Sequence, residues 1–477
     1  MNFKQQLVPR FSDIRFWIIL FFIVRLYGIT FPPLEVGHNW RQTDGLMIAR
    51  NFYEVDATIF YPRVDSAGDQ SGIVGCEFPM LNYLIYLVSL IFGYTHWYGR
   101  IIVLIFSSFG VFFFFKLIQK YFNEQAAFNA SIVLLVSLWF SYSRKNIPDV
   151  FAASLCIMSL YFAFNYLESG KWRSFFLFFI LGLVGCLSKI LAATILTALL
   201  IPVLDGAILL KRKVMLSVAS LIILLGVLYW YFVWVPHLNS YGFGEHFFMG
   251  TSWREGLNQI MNEWPRVLKR FYSTPLKYSG FIVFMISIVL VVRQRLMLPL
   301  VVFILPFISF VILLVKTGSS IVGDHYYIIT VIPAMAFILG YGLTLIRNKK
   351  IVTFLLIVIG VECIAGQIYD FRIRQPFRAL ADLENIMDQV SSRNELIAIN
   401  GDSPHNPTPM YFAHRKGWVT PNSALQDSAY VKEIKDKGCK FIVIAKESYG
   451  DILLNYPIVH DSEYFKIYSL KSINQPL

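Results

Sequence analysis

Apolar runs closed by lysine or arginine recur along this 477-residue chain, and that repetition constrains its fold more than any other feature. Residues 16–30, 99–115, 126–142, 150–167, 175–187, 190–210, 214–235, 278–292, 296–315, 325–346 and 351–368 each approach the length of a bilayer core, giving about eleven spans. The chain is 56% hydrophobic and only 15% charged, more apolar than a soluble core can bury, so the class is a polytopic membrane protein. The net charge of +12 does not indicate nucleic acid, because the basic residues sit mostly at the ends of apolar runs. Lys116 and Lys120, Lys171 and Arg173, Lys211 to Lys213, Arg293 and Arg295, and Arg347 to Lys350 mark successive inner turns by the positive-inside rule. Lys4, Arg10 and Arg15 form a basic head without a small-residue cleavage site behind it. The first span is therefore expected to be uncleaved, with a cytoplasmic N-terminus. Arg25 interrupts that span and reads as snorkelling or as paired with another span. Five cysteines show no CxxC and no Cys/His spacing, which excludes the usual zinc and dithiol motifs.

This threading leaves residues 35–97 as a long outer loop, and loops of that length are usually functional. It is expected to carry a helix over 40–55, a turn-rich patch over 61–75 and a short apolar helix over 79–92 lying in the interface. A second outer loop spans 236–277. All eight histidines then lie on the outer side: His38, His96, His237, His246, His325, His405, His414 and His460. From residue 370 the composition becomes that of a soluble domain. It has a helical pattern over 379–390, strand-like runs at 395–400, 440–445 and 465–470, a charged helix at 430–437, and a turn-rich loop at 402–409. The expected architecture is an all-α polytopic membrane domain (1–369) followed by a small extracytoplasmic α/β domain (370–477). The setting is a multi-pass plasma (inner) membrane.

Polar residues concentrate in HNWRQTDGLMIARNFYE at 38–54. There Arg41 and Asp44 stand three apart and share a helix face, with His38 and Trp40 beside them. A carboxylate held rigidly beside the membrane suits a general base acting on an acceptor hydroxyl, which nominates Asp44. Glu77 in GCEFP projects from a turn stiffened by Pro79. Arg144, Lys145 and Asp149 lie in RKNIPD, where Asp149 also reads as a helix cap. Lys189 sits at an outer hairpin, where interfacial anchoring is the alternative. His325 and Tyr326 enter a span from outside in DHYY, where an aromatic belt alone accounts for the tyrosines. YFAHRKGW at 411–418 sets aromatics around a basic triplet, suited to a sugar or anionic acceptor or simply to a solvated loop. These acids and bases are expected to converge on one cavity at the membrane surface. Carboxylates with Arg and Lys there suit a reaction whose leaving group is a lipid phosphate, with inversion at the sugar carbon.

The runs HNWRQTDGLMIARNFYE, YPRVD (61–65), GCEFP, IPD and LSK (187–189) resemble the bacterial family 39 membrane glycosyltransferases. These are similar to protein O-mannosyltransferases and the lipid A aminoarabinose transferase, all of the GT-C fold. The resemblance covers roughly residues 16–345 and is most specific in the first outer loop. It implies a polyprenyl-phosphate-linked sugar as donor, with membrane lipids around it and no nucleic acid. The acceptor is a lipid, glycan or protein. Asp44 matches the first-loop catalytic acid, Glu77 the acid before the prolines, Asp149 the second-loop acid, and Lys189 the phosphate-side lysine. His38, Trp40, Arg41, Arg144, His325 and Tyr326 complete the expected substrate-binding set. The sequence departs from the family where an Asp-Glu pair reads Thr43-Asp44 and a double proline reads Phe78-Pro79. That leaves a divalent metal ion open, with Glu77 and His325 as candidate ligands. Two other functions fit the same polar cavity: a transporter or flippase of lipid-linked glycans, and a glycan ligase or polymerase.

Overall fold

The computed structural model describes residues 11–242 and 250–471, so Lys4, Arg10 and His246 lie outside the described residues. The chain divides into two compact units, each built from separated stretches. The first comprises Met1–Ile29, Gly99–Phe232 and Met249–Ile368; the second comprises Thr30–Tyr98, Val233–Phe248 and Tyr369–Leu477.

The first unit is helical. Among the described residues, six helices are long and apolar enough to cross a membrane: Tyr98–Tyr121, Pro148–Ser169, Leu210–Asn239, Met297–Thr317, His325–Thr344 and Lys349–Phe371. Trp264–Ser273 and Lys277–Arg293, which meet at 86°, make a seventh if counted together. The chain is thus a multi-pass membrane protein. The count falls below the apolar runs because several runs break into short pieces. Residues 126–142 become Glu124–Val136 and Trp139–Tyr142, parted at Ser137, whose hydroxyl donates back to the Leu134 carbonyl. Ile190–Leu199 winds as a 3₁₀ helix rather than α. Its Thr194 and Thr197 hydroxyls donate to carbonyls three residues back, which suits the tighter winding.

Small residues set the closest packing. A Cβ on Gly340 would meet the Ala130 backbone nitrogen at 2.3 Å, so helices Glu124–Val136 and Ile332–Thr344 cross nearly backbone to backbone. Arg25 does not snorkel, and among the described residues it forms no ion pair with a carboxylate. Its side chain is buried and donates to the Phe21 carbonyl at 2.8 Å and to the Ser143 hydroxyl.

The second unit joins the first loop to the C-terminal segment. Helix Asn39–Glu54 follows His38, which adopts the left-handed conformation. Helix Met80–Phe92 follows Pro79. Among the described residues the sheet has five strands: β1 (Leu396–Asn400), β2 (Gly417–Thr420), β3 (Cys439–Ala445), β4 (Ile458–Asp461) and β5 (Phe465–Ser469). The order is β2-β1-β3-β5-β4, with β1, β2 and β3 parallel and β5 antiparallel to both neighbours. The crossover helix Ser428–Asp436 buries Val431 and Ile434 against Ala398, Ile442 and Tyr468. β2 and β4 are additions to the strands expected from sequence. The turn-rich stretch at 402–409 instead runs into a helix, Pro407–Ala413, with Asn406 as its cap and Pro407 at the first helical position.

Arg50 locks the loop helix to the C-terminal segment. It donates to the Tyr411 carbonyl at 3.0 Å and to Asp65 at 2.9 Å, with its guanidinium 4.6 Å from the Tyr411 ring centre. Asn51 holds the other Asp65 oxygen at 2.8 Å.

Candidate active site

In the second unit, helical spacing brings Arg41 and Asp44 onto one face, and the Arg41 guanidinium meets the Asp44 carboxylate at 3.1 Å. The same guanidinium also pairs with Glu77, 36 residues on. One cation therefore sits between two carboxylates. Their side chains are 5% and 11% exposed, against 21% for Arg41, so the cation is the most accessible member of the cluster. Cys76 lies buried beside them. Burial, with the charges of Glu77 and Asp44, pushes its thiol well above the ordinary range, so it is held protonated and is no nucleophile. Trp40 is exposed at the same helix start, and His38 forms the turn that launches the helix.

In the first unit, Pro148 opens helix Pro148–Ser169, with Ile147 at the N-cap. Asp149 is therefore not the cap that its sequence position allowed. It lies in the first turn, fully buried, with the Lys189 ammonium at 3.6 Å. Lys189 is also buried, not an interfacial anchor; its nitrogen lies 5.3 Å from the Tyr326 ring centre and 4.8 Å from that of Tyr327. A desolvated ammonium over two aromatic faces is a strong cation–π arrangement. His325 Nε2 hydrogen-bonds the Tyr142 hydroxyl at 2.8 Å. Arg144 donates to the carbonyls of Tyr27 and Gly28, so its guanidinium holds the end of the first helix.

The structure thus brings together Arg41, Asp44 and Glu77 in one unit, and Asp149, Lys189 and Tyr326 in the other. Tyr142 joins His325 with no sequence signal to single it out among 26 tyrosines. Tyr327 joins Lys189 as the second tyrosine of DHYY. Among the described residues, no group of three or more His, Cys, Asp or Glu side chains could hold a metal ion. Glu77 is engaged by Arg41, and His325 by Tyr142.

Arg415 in YFAHRKGW is not on a solvated loop. Its guanidinium is fully buried and donates to Asp388, to Ser391 and to the His414 carbonyl. Trp418 lies on β2 with its indole against Gly68.

The fold resembles those of two solved proteins, ArnT and an archaeal oligosaccharyltransferase. ArnT from Cupriavidus metallidurans bound to undecaprenyl phosphate matches with a TM-score of 0.57 at 12% identity, covering 95% of this chain and 98% of that one. The apo state of the same protein matches with 0.56 at 14%, covering 95% and 97%. The Archaeoglobus fulgidus oligosaccharyltransferase in its apo form matches with 0.53 at 13%, covering 90% of this chain and 69% of that one. In sequence, residues 77–230 match the family described as dolichyl-phosphate-mannose-protein mannosyltransferase. No curated protein matches the chain. The resemblance to protein-mannosyltransferase-like and ArnT-like glycosyltransferases therefore holds. The matched segment contains Glu77, Arg144, Asp149 and Lys189 and leaves Arg41 and Asp44 outside it.

Proposed function

We propose that this chain is an inverting glycosyltransferase that moves a sugar from a polyprenyl-phosphate donor to an extracytoplasmic lipid, glycan or protein acceptor. The observation that carries the reading is Arg41 held between Asp44 and Glu77. A cation more exposed than its two acids is placed to meet an anionic ligand, and a buried carboxylate on the same helix face is placed to accept a proton. Two likenesses support the donor class: the matched family is described by its dolichyl-phosphate sugar, and ArnT has been solved with undecaprenyl phosphate.

In this reading Asp44 takes the proton from the acceptor hydroxyl as its oxygen attacks the anomeric carbon. The bond from that carbon to the phosphate oxygen breaks, the centre inverts, and polyprenyl phosphate leaves. Arg41 stabilises the charge that collects on the phosphate. Glu77 keeps Arg41 in place, and Asp149 does the same for Lys189. The topology has about eleven crossings, with shorter helices serving as some of them, an inner N-terminus and an outer 370–477 domain.

The test is mass spectrometry of lipid-linked sugars in vesicles carrying the purified protein. Free polyprenyl phosphate and a sugar-bearing acceptor are expected, and both should fall by about a hundredfold or more with Asp44→Asn. Donor that crosses the membrane with its sugar–phosphate bond intact would refute the transferase and indicate a transporter.

A further inference from the structure

A cavity of about 360 Å³ enters the first unit among helices Tyr98–Tyr121 and Pro148–Ser169, the run Ile190–Val203, and helices Met297–Leu314 and Ile332–Thr344. Its walls are hydrocarbon, with Phe114, Ile157, Ile195 and Phe337 among them. Pro202, Pro306 and Pro333 also line it. Pro306 sits inside its helix, where the ring removes a backbone donor and clashes with the preceding turn, which opposes tight closure. Left empty, such walls forfeit their dispersion contacts. Water is a poor filling because it finds few polar partners there.

The cavity opens at one end, where Glu168 and Asp205 are exposed. Cations stand at the same rim. Lys120 pairs with Glu168, Arg212 donates to the carbonyls of Leu167 and Glu168, and Lys213 donates to the carbonyl of Asp205. Exposed Leu204, Leu209 and Leu210 flank it. Asp149 and Glu168 occupy opposite ends of one helix, separated by about 28 Å at an α-helical rise. That is close to the thickness of a hydrocarbon core, so the mouth and the Asp149–Lys189 pair face opposite leaflets.

We propose that this cavity holds one acyl chain of a zwitterionic, amine-bearing glycerophospholipid from the leaflet opposite Asp149 and Lys189. The apolar walls take the chain. The mixed rim matches both charges of the headgroup, with Lys120, Arg212 and Lys213 for the phosphate and Glu168 and Asp205 for the ammonium. This site is separate from sugar transfer and does not depend on the donor's chemistry.

The test uses the full-length protein in vesicles containing phosphatidylethanolamine with a diazirine midway along one acyl chain. Photolysis is expected to label wall peptides containing Ile157, Ile195 or Ala334. Native mass spectrometry in detergent should show phosphatidylethanolamine retained about tenfold over phosphatidylglycerol, the worth of a charge-assisted contact. Ala334→Phe should abolish the labelling. Should that variant not fold, Glu168→Gln with Asp205→Asn leaves the walls intact and should bring retention of the two lipids to parity. Labelling confined to other peptides, equal retention of both lipids by the wild type, or wall labelling by a diazirine polyprenyl phosphate that phosphatidylethanolamine does not compete away would each overturn the assignment. None of these readouts requires sugar transfer, so a failed transferase reading leaves the result interpretable.

Discussion

Replacing His414 with asparagine should destabilise the second unit in slightly acidic solution and have less effect in alkaline solution. The His414 ring bonds Glu384 at 2.8 Å through Nδ1 and Glu54 at 2.9 Å through Nε2. Two carboxylate acceptors require two N–H donors, so the ring is an imidazolium. Burial pulls its pKa down and nearby Arg50 opposes the charge. The bonds to Glu384 and Glu54 outweigh both and leave it above the ordinary 6.5. Glu384 is drawn down to about 2, first by its bond to His414 and then, against burial, by Arg393. Burial works to raise Glu54, yet the bond to His414 leaves it below the ordinary 4.5. The signs then fix the window. The histidine contribution is complete below 6.5 and is lost as pH rises through its raised folded value. The carboxylate contributions are complete above 4.5 and are lost as pH falls through the lowered values.

The clasp is therefore strongest between 4.5 and 6.5. Glu54 and Glu384 are 39% and 42% exposed, so each bond is discounted to surface-pair strength, about 0.5–1 kcal/mol, or about 1–2 kcal/mol together. Asparagine tolerates the left-handed backbone found at His414, so strain should add little and should not vary with pH. Chemical unfolding of the full chain in detergent, followed through the aromatic signal, should show this loss near pH 5.5 and a smaller one near pH 8.5. A loss independent of pH, or one that grows toward alkaline pH, would refute the imidazolium clasp.

Asp44→Asn should lower transfer roughly a hundredfold to ten-thousandfold while expression and donor binding stay normal, checked by turnover and by donor titration. Arg41→Ala should instead raise the donor Kd, and identical phenotypes for the two variants would remove the division of roles. Arg415→Ala should act on stability rather than on acceptor KM, by about 1–3 kcal/mol, because it strips donors from Ser391 and Asp388; a thermal-shift series with acceptor kinetics separates the two. Gly68→Ala should cost about 1–3 kcal/mol in an unfolding titration, since its φ is +60° and the new Cβ would lie 2.4 Å from the Trp418 indole nitrogen.

Local periodicity carried much of this fold. Helix Asn39–Glu54 lies within a residue of its expected bounds because its pattern is helical throughout, and the i,i+3 pairing of Arg41 with Asp44 follows directly. Glu77 meeting Arg41 was not legible, since nothing local links positions 36 residues apart. Spans were overcounted as long helices because apolarity alone does not report where Ser137, Thr194 and Thr197 bond their own backbone. β2 and β4 are four residues each, too short to show alternation, and β2 overlaps the aromatic-basic motif that reads as a loop. Arg415 reads as available because its partner Asp388 lies in the helix Leu383–Val390, a pairing that spacing cannot show. Convergence of the acids and bases is an expectation of the sequence, but the specific pairing of Asp149 with Lys189 belongs to tertiary packing.

The lock formed by Arg50 carries a consequence for how the protein is made. Its carbonyl acceptor, on Tyr411, is 361 residues downstream. At about 5–20 residues per second, a ribosome takes roughly 20–70 s to reach it. Throughout that interval the helix bearing Arg41 and Asp44 has emerged without the segment that holds it. A nascent chain should therefore be accessible to protease around residues 50–65 until the segment bearing Tyr411 has emerged, and the helix bearing Arg41 and Asp44 becomes secure only then.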